Sequence, residues 1–328
     1  MTRRILKGAV KRGALIAAAN WPVTLIQASA DSLFKLLLAA PLIGGVFLVA
    51  LAVGSEPTSL IALESREMMA RIASALLAQP LVLAAFLLAV AIVAVGGSLF
   101  VFLVKGGTMA TLVRSDRESG PIEAPPLHAS AVARASRFSV DGYAEEAWRL
   151  FPRYARLGFV LMAVYLVSGV VYLAAIATRD AGAGWGVTAA VTVVFAFWIT
   201  IVNLLYLLVQ IVIAADDCSV AAAARRVAAF LRYERRHVAA IFALMLAIVV
   251  AATGASVLAT AALGLVAFVP FFGLVALPLQ LLAWLLRGLV FQYVGLASVG
   301  AYLTLYRGFS GAQVLRCSGS GSPVPVHG

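Results

Sequence analysis

Leu81-Val82-Leu83-Ala84-Ala85-Phe86-Leu87-Leu88 is apolar at every position. A strand of an outer-membrane barrel would alternate apolar and polar side chains over about ten residues, and a helix on a water-facing surface would keep a polar stripe. This stretch does neither. It lies inside an apolar window, 80–104, that is long enough to cross the roughly 30 Å of bilayer hydrocarbon as helix, for which about 20 residues suffice. Equivalent windows cover 33–53, 157–177, 185–215 and 238–262. A last apolar region, 264–306, is too long for one crossing and barely enough for two, and it contains Pro270, Pro278 and Arg287. The chain therefore reads as an all-α, polytopic helical membrane protein with six transmembrane helices, or seven if the last region crosses twice.

Composition agrees. Of 328 residues, 63% are hydrophobic and 12% charged, about half the charge of a soluble domain, and the mean hydropathy is +1.02. A soluble globular enzyme is excluded. The net charge of +11 and the isoelectric point near 10.2 invite a nucleic-acid reading, but no aromatic interleaving or groove-reading motif accompanies the basic residues, so no nucleic acid is expected. Their positions serve orientation instead, since Lys and Arg are retained on the cytoplasmic side. Arg3, Arg4, Lys7, Lys11 and Arg12 lead the chain, Lys105 to Arg156 fill the connection after the second window, and Arg225 to Arg236 fill that after the fourth. The alternate connections hold only Arg66, Arg71 and Arg179. This pattern predicts a multi-pass protein of the bacterial inner (plasma) membrane with both termini cytoplasmic. It favours six spans, because an even count keeps Arg307 and Arg316 inside. In that arrangement 264–277 forms a Pro-broken outer hairpin, and 278–306 returns as a sixth helix of about 42 Å. The seven-span alternative places Arg287 and Gly288 in an inner turn.

Amphipathic segments precede the spans. In 140–154, Tyr143, Ala147, Leu150, Phe151 and Tyr154 share a helical face, and in the segment from Val220 the residues Val220, Ala224, Val227 and Leu231 do the same. Such stripes mark helices lying in the interface. Both end in F-x-R-Y-x-R, as Phe151-Pro152-Arg153-Tyr154-Ala155-Arg156 and Phe230-Leu231-Arg232-Tyr233-Glu234-Arg235. An apolar segment 14–30, interrupted by Pro22, precedes the first span. The chain thus divides into three units, each an interfacial elbow plus a two-helix hairpin, at about 14–104, 140–215 and 219–307. All belong to one transmembrane domain, 1–315, followed by a disordered tail, 316–328, of Gly/Ser linker composition. Chance matching among Arg- and Tyr-rich membrane edges is the plainer account of the shared word. In the outer connection 55–79, Ile61, Met68, Ile72 and Leu76 have the spacing of a further interfacial helix. Cys218 and Cys317 are both expected inside, so no structural disulfide is predicted.

Chemistry is sparse. His128, His237 and His327 pair with nothing at metal-ligand spacing, no intramembrane His serves Ser98, Ser168 or Ser256 as a base, and no phosphate-cradling Gly-rich loop is present. No catalytic residue, metal or cofactor is expected, and the chain is read as non-enzymatic. No Asp or Glu lies in an apolar window, which counts against proton or sodium coupling. The polar groups left in the spans are Asn203 and Gln210 in the fourth and Gln280 and Arg287 in the sixth, each pair seven residues apart on one face. If those faces meet, they form a polar seam; the alternative is that the amides tie neighbouring helices together and Arg287 reaches to the interface. Asp216, Asp217 and Ser219 read as the start of the next helix, their oxygens capping its free N–H groups. Arg4, Lys7 and Lys11 share a face suited to anionic head groups at about 1 kcal/mol each, and Arg153, Arg156, Arg232 and Arg235 stand at the same depth.

The run Asp217-Cys218-Ser219-Val220-Ala221-Ala222-Ala223-Ala224 before a span, and the ending Ala301-Tyr302-Leu303-Thr304-Leu305-Tyr306-Arg307, resemble the elbow and terminal helix of bacterial six-helix proteins. These are the YciC-like families and the membrane domain of glycerophosphodiester phosphodiesterases. The second Ser of their elbow is replaced here by Ala or Arg around 224–228, and no soluble phosphodiesterase domain is attached. The resemblance implies an envelope location and a six-helix fold without an activity. Two functional readings follow: a protein acting through contacts with membrane lipids, anionic ones above all, with a membrane-protein partner or with a second copy of itself; and a permease or channel for a small or anionic solute built on the seam.

Overall fold

A computed structural model describes residues 2–53, 78, 80–124, 126, 129–136, 138–177, 185–267 and 273–319. The helices are α1 (Thr2–Ala19), α2 (Trp21–Val53), α3 (Pro80–Glu118), α4 (Ala129–Ala135), α5 (Val140–Ala177), α6 (Trp185–Asp216), α7 (Val220–Ala267) and α8 (Gly273–Gly319). Among the described residues six stretches are long and apolar enough to cross a membrane: Trp21–Gly45, Leu83–Glu118, Val140–Ile176, Gly186–Asp216, Val220–Ala262 and Pro278–Gly311. The protein is a multi-span, all-helical membrane protein. The interfacial helix expected around Ile61 to Leu76 lies outside the described residues, as do His128 and part of the 264–277 hairpin.

Several sequence expectations change. The elbow 140–154 is not a separate helix, since it opens α5 without interruption even though Pro152 lies inside it; the elbow from Val220 is one, because the non-helical Glu234 (φ −108°, ψ 20°) divides α7 into two helices across a kink. The first elbow, read as 14–30, is split at Asn20, where α1 ends and α2 begins with Pro22 in its first turn, a position that needs no N–H donor. α8 passes unbroken through Arg287 and Gly288, which removes the inner turn of the seven-span alternative. It stays helical to Gly319, so the tail expected to be disordered from 316 begins inside a helix; 320–328 lie outside the described residues.

Contacts divide the chain into two units, Ser29–Val104 and the remainder, Met1–Ala28 with Lys105–Gly328. In the first, a hairpin is closed by two rings lying on glycines. A Cβ on Gly97 would stand 2.3 Å from the Phe34 ring and one on Gly45 2.4 Å from Phe86. These pairs share one antiparallel register, in which only a hydrogen leaves room for the facing ring.

In the second unit the packed core gathers at the end where the basic residues lie. Ile16, Leu112, Leu150, Tyr154, Phe230 and Leu303 are fully buried there. At the opposite end Leu166, Leu173, Val194, Leu258 and Leu282 are exposed, the surface left for hydrocarbon. The core closes where backbones touch. A Cβ on Gly13 of α1 would lie 2.3 Å from the Ala297 carbonyl oxygen of α8, and one on Gly300 would lie 2.6 Å from Gly13 Cα. Small residues permit this approach. Tyr293 of α8 completes the crossing by donating to the Ala14 carbonyl at 3.1 Å.

Burial also revises the repeat. Ser139 and Ser219 cap α5 and α7, accepting from the N–H groups of Gly142 at 3.2 Å and Ala222 at 3.4 Å. Ala147 and Val227, Leu150 and Phe230, and Gly158 and Val238 are buried alike. Each of these pairs is separated by 80 residues, whereas the F-x-R-Y-x-R words align one residue out of step. One residue turns a helix by about 100°, so Tyr154 is buried and Tyr233 is 63% exposed. The second stripe is accordingly Ala223, Val227 and Phe230 rather than Val220, Ala224, Val227 and Leu231.

Candidate functional site: the polar end of the helices

α3 continues past its apolar window, and there Met109, Leu112, Val113 and Asp116 fall on one buried face. The Asp116 side chain is 1% exposed. Its Oδ1 accepts from Arg12 Nε of α1 at 2.6 Å, and its Oδ2 pairs with Arg307 of α8. Arg12 then spreads its remaining donors over the turn after α3: the Gly120 carbonyl at 2.5 Å, Glu123 Oε2 at 2.8 Å, the Asp116 carbonyl at 2.8 Å and Ser119 Oγ at 3.2 Å. Gly120 has φ +61°, a left-handed conformation that glycine adopts at no steric cost, and it turns its carbonyl to Arg12. Burial alone would lower the Arg12 pKa; bonding to Asp116 and then to Glu123 outweighs it, and the net shift is upward. One buried carboxylate thus joins the first and last helices to α3. A second buried polar contact lies beside it, where Asn20 Nδ2 donates to Ser115 Oγ at 2.9 Å and to the Ala135 carbonyl at 3.1 Å.

The turn between α6 and α7 carries two further acids, Asp216 and Asp217. Asp217 is the residue with φ 47°, a left-handed conformation that Asp tolerates better than most side chains. The aspartates do not cap α7 as expected; Ser219 does so by itself. Asp216 pairs with Arg226 and accepts from Tyr306 Oη, while Asp217 pairs with Arg153 and, at 2.7 Å, with Arg149. The hydrogen bond from Arg153, followed by the charge of Arg149, holds the Asp217 carboxyl below its ordinary range. Burial pushes the neighbouring Cys218 thiol up.

Between the last turns of α3 and α6 and the first turns of α5 lies a pocket of about 380 Å³, lined by Arg114, Arg117, Glu118, Ser139, Tyr143, Glu146 and Arg149 among others. A second hollow of about 380 Å³ lies between α1 and α7, lined by Leu6, Lys7, Val10, Lys11 and Leu244. Among the described residues no three His, Cys, Asp or Glu side chains gather to hold a metal ion.

Compared with protein-family models, with curated proteins and with solved structures, the chain matches none.

The residues singled out from sequence are distributed as follows. Asn203 is exposed; its Oδ1 accepts from Tyr165 Oη of α5 at 2.5 Å and its Nδ2 donates back to the Ile199 carbonyl at 2.9 Å. That pair is one rung of an α5–α6 ladder with Trp198–Ser168 at 3.0 Å and Tyr172–Thr192 at 3.0 Å, the interhelical tie of the plainer reading. Gln210 is buried, its carbonyl taken by Tyr154 Oη at 2.8 Å and its Nε2 without a partner among the described residues. Gln280 is partly exposed and Arg287 exposed, its guanidinium 5.7 Å from the Phe291 ring of its own helix. Among the described residues no hydrogen bond or ion pair joins any two of these four. With Asp216 against Tyr306, Gln210 lies about 9 Å along α6 from that level and Arg287 about 28 Å along α8.

Of the expected head-group contacts, Lys7, Arg156, Arg232 and Arg235 are exposed. Lys11 donates to the Glu123 carbonyl at 2.9 Å, Arg153 is bound to Asp217, and the Arg4 side chain lies outside the described residues. Sequence reasoning missed Asp116, because it was assigned to an inner connection. The signal was available: Met109, Leu112, Val113 and Asp116 have the 3, 4, 7 spacing of one helical face, which places an acid in line with a core.

Proposed function

We propose that the protein is a non-enzymatic component of the bacterial inner membrane, with both termini cytoplasmic, that acts through contacts of its basic end with phospholipids, anionic ones in the first place. The observation that carries this reading is the hollow between α1 and α7. Leu6, Val10 and Leu244 give it an apolar bed beside the exposed Lys7, while the Lys11 ammonium is held by the Glu123 carbonyl. An acyl chain beside an anionic head group matches both surfaces, and basic side chains near such a membrane gain about 1 kcal/mol each. Exposed Arg156, Arg232 and Arg235 meet no carboxylate among the described residues, which leaves them available to lipid phosphates.

The reading is tested by drawing the protein from native membranes into polymer-bounded discs and quantifying lipids and proteins against the bulk membrane. Enrichment of anionic phospholipid, reduced by Lys7→Gln, supports it; a lipid composition equal to the bulk sinks it. The permease reading retains one favourable observation, the buried Nε2 of Gln210, which has no partner among the described residues. Solute flux into vesicles reconstituted with the protein, abolished by Gln210→Leu, would turn the assignment to transport.

A further inference from the structure

The pocket between α3, α5 and α6 contains both signs of charge, and Arg149 is fully engaged there by Glu146 and Asp217 whereas Arg114, Arg117, Glu118 and Glu146 are only partly engaged. Arg114 gives its Nε to Glu118 Oε1 at 2.9 Å, and among the described residues its terminal nitrogens meet no acceptor. Nη1 is drawn over the first turn of α5, lying 3.8 Å from where a Cβ on Gly142 would stand. Arg117 spends one nitrogen on the Ala215 carbonyl at 2.5 Å, at the end of α6. Both bonds from Arg149 to Glu146, at 2.9 Å and 2.6 Å, fall on Oε2. Glu118 Oε2 and Glu146 Oε1 therefore keep open acceptor sites, while Arg114 and Arg117 keep open donor sites, around one cavity of about 380 Å³.

A purely anionic ligand would meet two carboxylates here, and a purely cationic one three guanidiniums. A ligand carrying a phosphate and a primary ammonium answers both. We infer that this pocket binds a phosphoethanolamine group, its phosphate on Arg114 and Arg117 and its ammonium on Glu118 Oε2 and Glu146 Oε1. Guanidinium forks match phosphate oxygens in pairs, and α5 turns the positive end of its dipole toward the same position. The ammonium is required to be primary, because carboxylate oxygens reward N–H donors and a quaternary choline offers none. The apolar run of α6 ends at Ala215, beside the pocket, at the depth where a head group sits. The inference rests on the lipid-contact reading and names a second, zwitterion-selective site apart from the α1–α7 hollow.

The test is native mass spectrometry of the full chain in detergent, titrated separately with phosphatidylethanolamine, phosphatidylcholine, phosphatidylglycerol and soluble glycerophosphoethanolamine. The expected result is ethanolamine lipid bound about tenfold more tightly than choline lipid, as one charged hydrogen bond implies. Arg114→Gln with Arg117→Gln should remove about that factor. Glu146→Gln should bring the ethanolamine-to-choline ratio close to one without weakening phosphatidylglycerol. Arg114→Lys keeps the charge and loses the fork, and serves if the double variant fails to fold; it should also weaken ethanolamine lipid. Binding of glycerophosphoethanolamine as tight as that of the lipid supports the pocket while removing the lipid as its source. Equal binding of ethanolamine and choline lipids overturns the inference, and if phosphatidylglycerol still binds through Lys7 the broader reading survives. Failure of every phospholipid overturns both.

Discussion

Replacing Asp116 by Asn preserves the shape of the side chain and removes the one charge between Arg12 and Arg307. In the folded protein those side chains are 12% and 29% exposed, against 1% for Asp116. Two poorly hydrated guanidiniums would then face each other across a neutral amide. Removing one partner of a buried ion pair costs about 3–5 kcal/mol, most of it from the charge left unpaired, and Asn can still accept one bond, which places Asp116→Asn toward the lower end. The measurement is the free energy of unfolding in mixed micelles, followed by loss of helix signal. A control separates the ion pair from the space it fills. Arg12→Met, Asp116→Leu and Arg307→Met together leave only Glu123, one-third exposed to water, without its partner and should recover most of the loss. Arg12→Gln combined with Asp116→Asn should cost less than the sum of the single changes by about 1–3 kcal/mol, as expected of residues in direct contact. If Asp116→Asn unfolds within about 0.5 kcal/mol of the wild type, the ordinary range for a surface change, then the carboxylate does not tie α1 and α8 to α3 and the reasoning fails.

Gly13→Ala places a Cβ 2.3 Å from a backbone oxygen of α8, so the helices must separate; a loss of at least about 1–3 kcal/mol is expected in the same assay, whereas Gly8→Ala, with open space around it, should be neutral or slightly stabilising. Because the folded Asp217 carboxyl lies below its unfolded value near 3.9, its contribution is complete above that value and disappears as pH falls through the folded one. The stability difference between wild type and Asp217→Asn should stay level from about pH 5 to 8 and narrow below about 4; a difference that grew on acidification would contradict the pairing with Arg153 and Arg149. Arg287→Leu should leave unfolding within about 0.5 kcal/mol of the wild type, since its described contact is a ring on its own helix, and a large loss would show a partner for it.

What the sequence made legible was whatever depends on hydropathy summed along the chain. Window 80–104 needed no partner to be recognised as membrane-spanning, and the alternation of basic connections favoured six crossings over seven, in keeping with the unbroken α8 through Arg287. Register between helices was not legible, because it depends on contacts far apart in number. Asn203 and Arg287 look like partners when each helix is drawn alone, yet Asn203 turns to Tyr165 and Arg287 to Phe291. The words at Phe151 and Phe230 mislead for a related reason. Identity of letters ignores the phase of burial, whereas the capping serines 139 and 219 and the buried residues after them keep it. Asp116 was hidden by treating the end of an apolar window as the end of a helix. The helix continues because Met109, Leu112 and Val113 still have a core to enter, supplied by other helices rather than by lipid.

The account depends most on the packed, ion-paired end facing the cytoplasm with both chain ends on that side. Cys317 follows the last span, and with Cys218→Ser it becomes the sole cysteine of the chain. Labelling by a membrane-impermeant maleimide, in sealed cells and after lysis, tests the arrangement directly. The account predicts no labelling of Cys317 until the cells are opened; labelling in sealed cells would put the carboxyl end outside and contradict it.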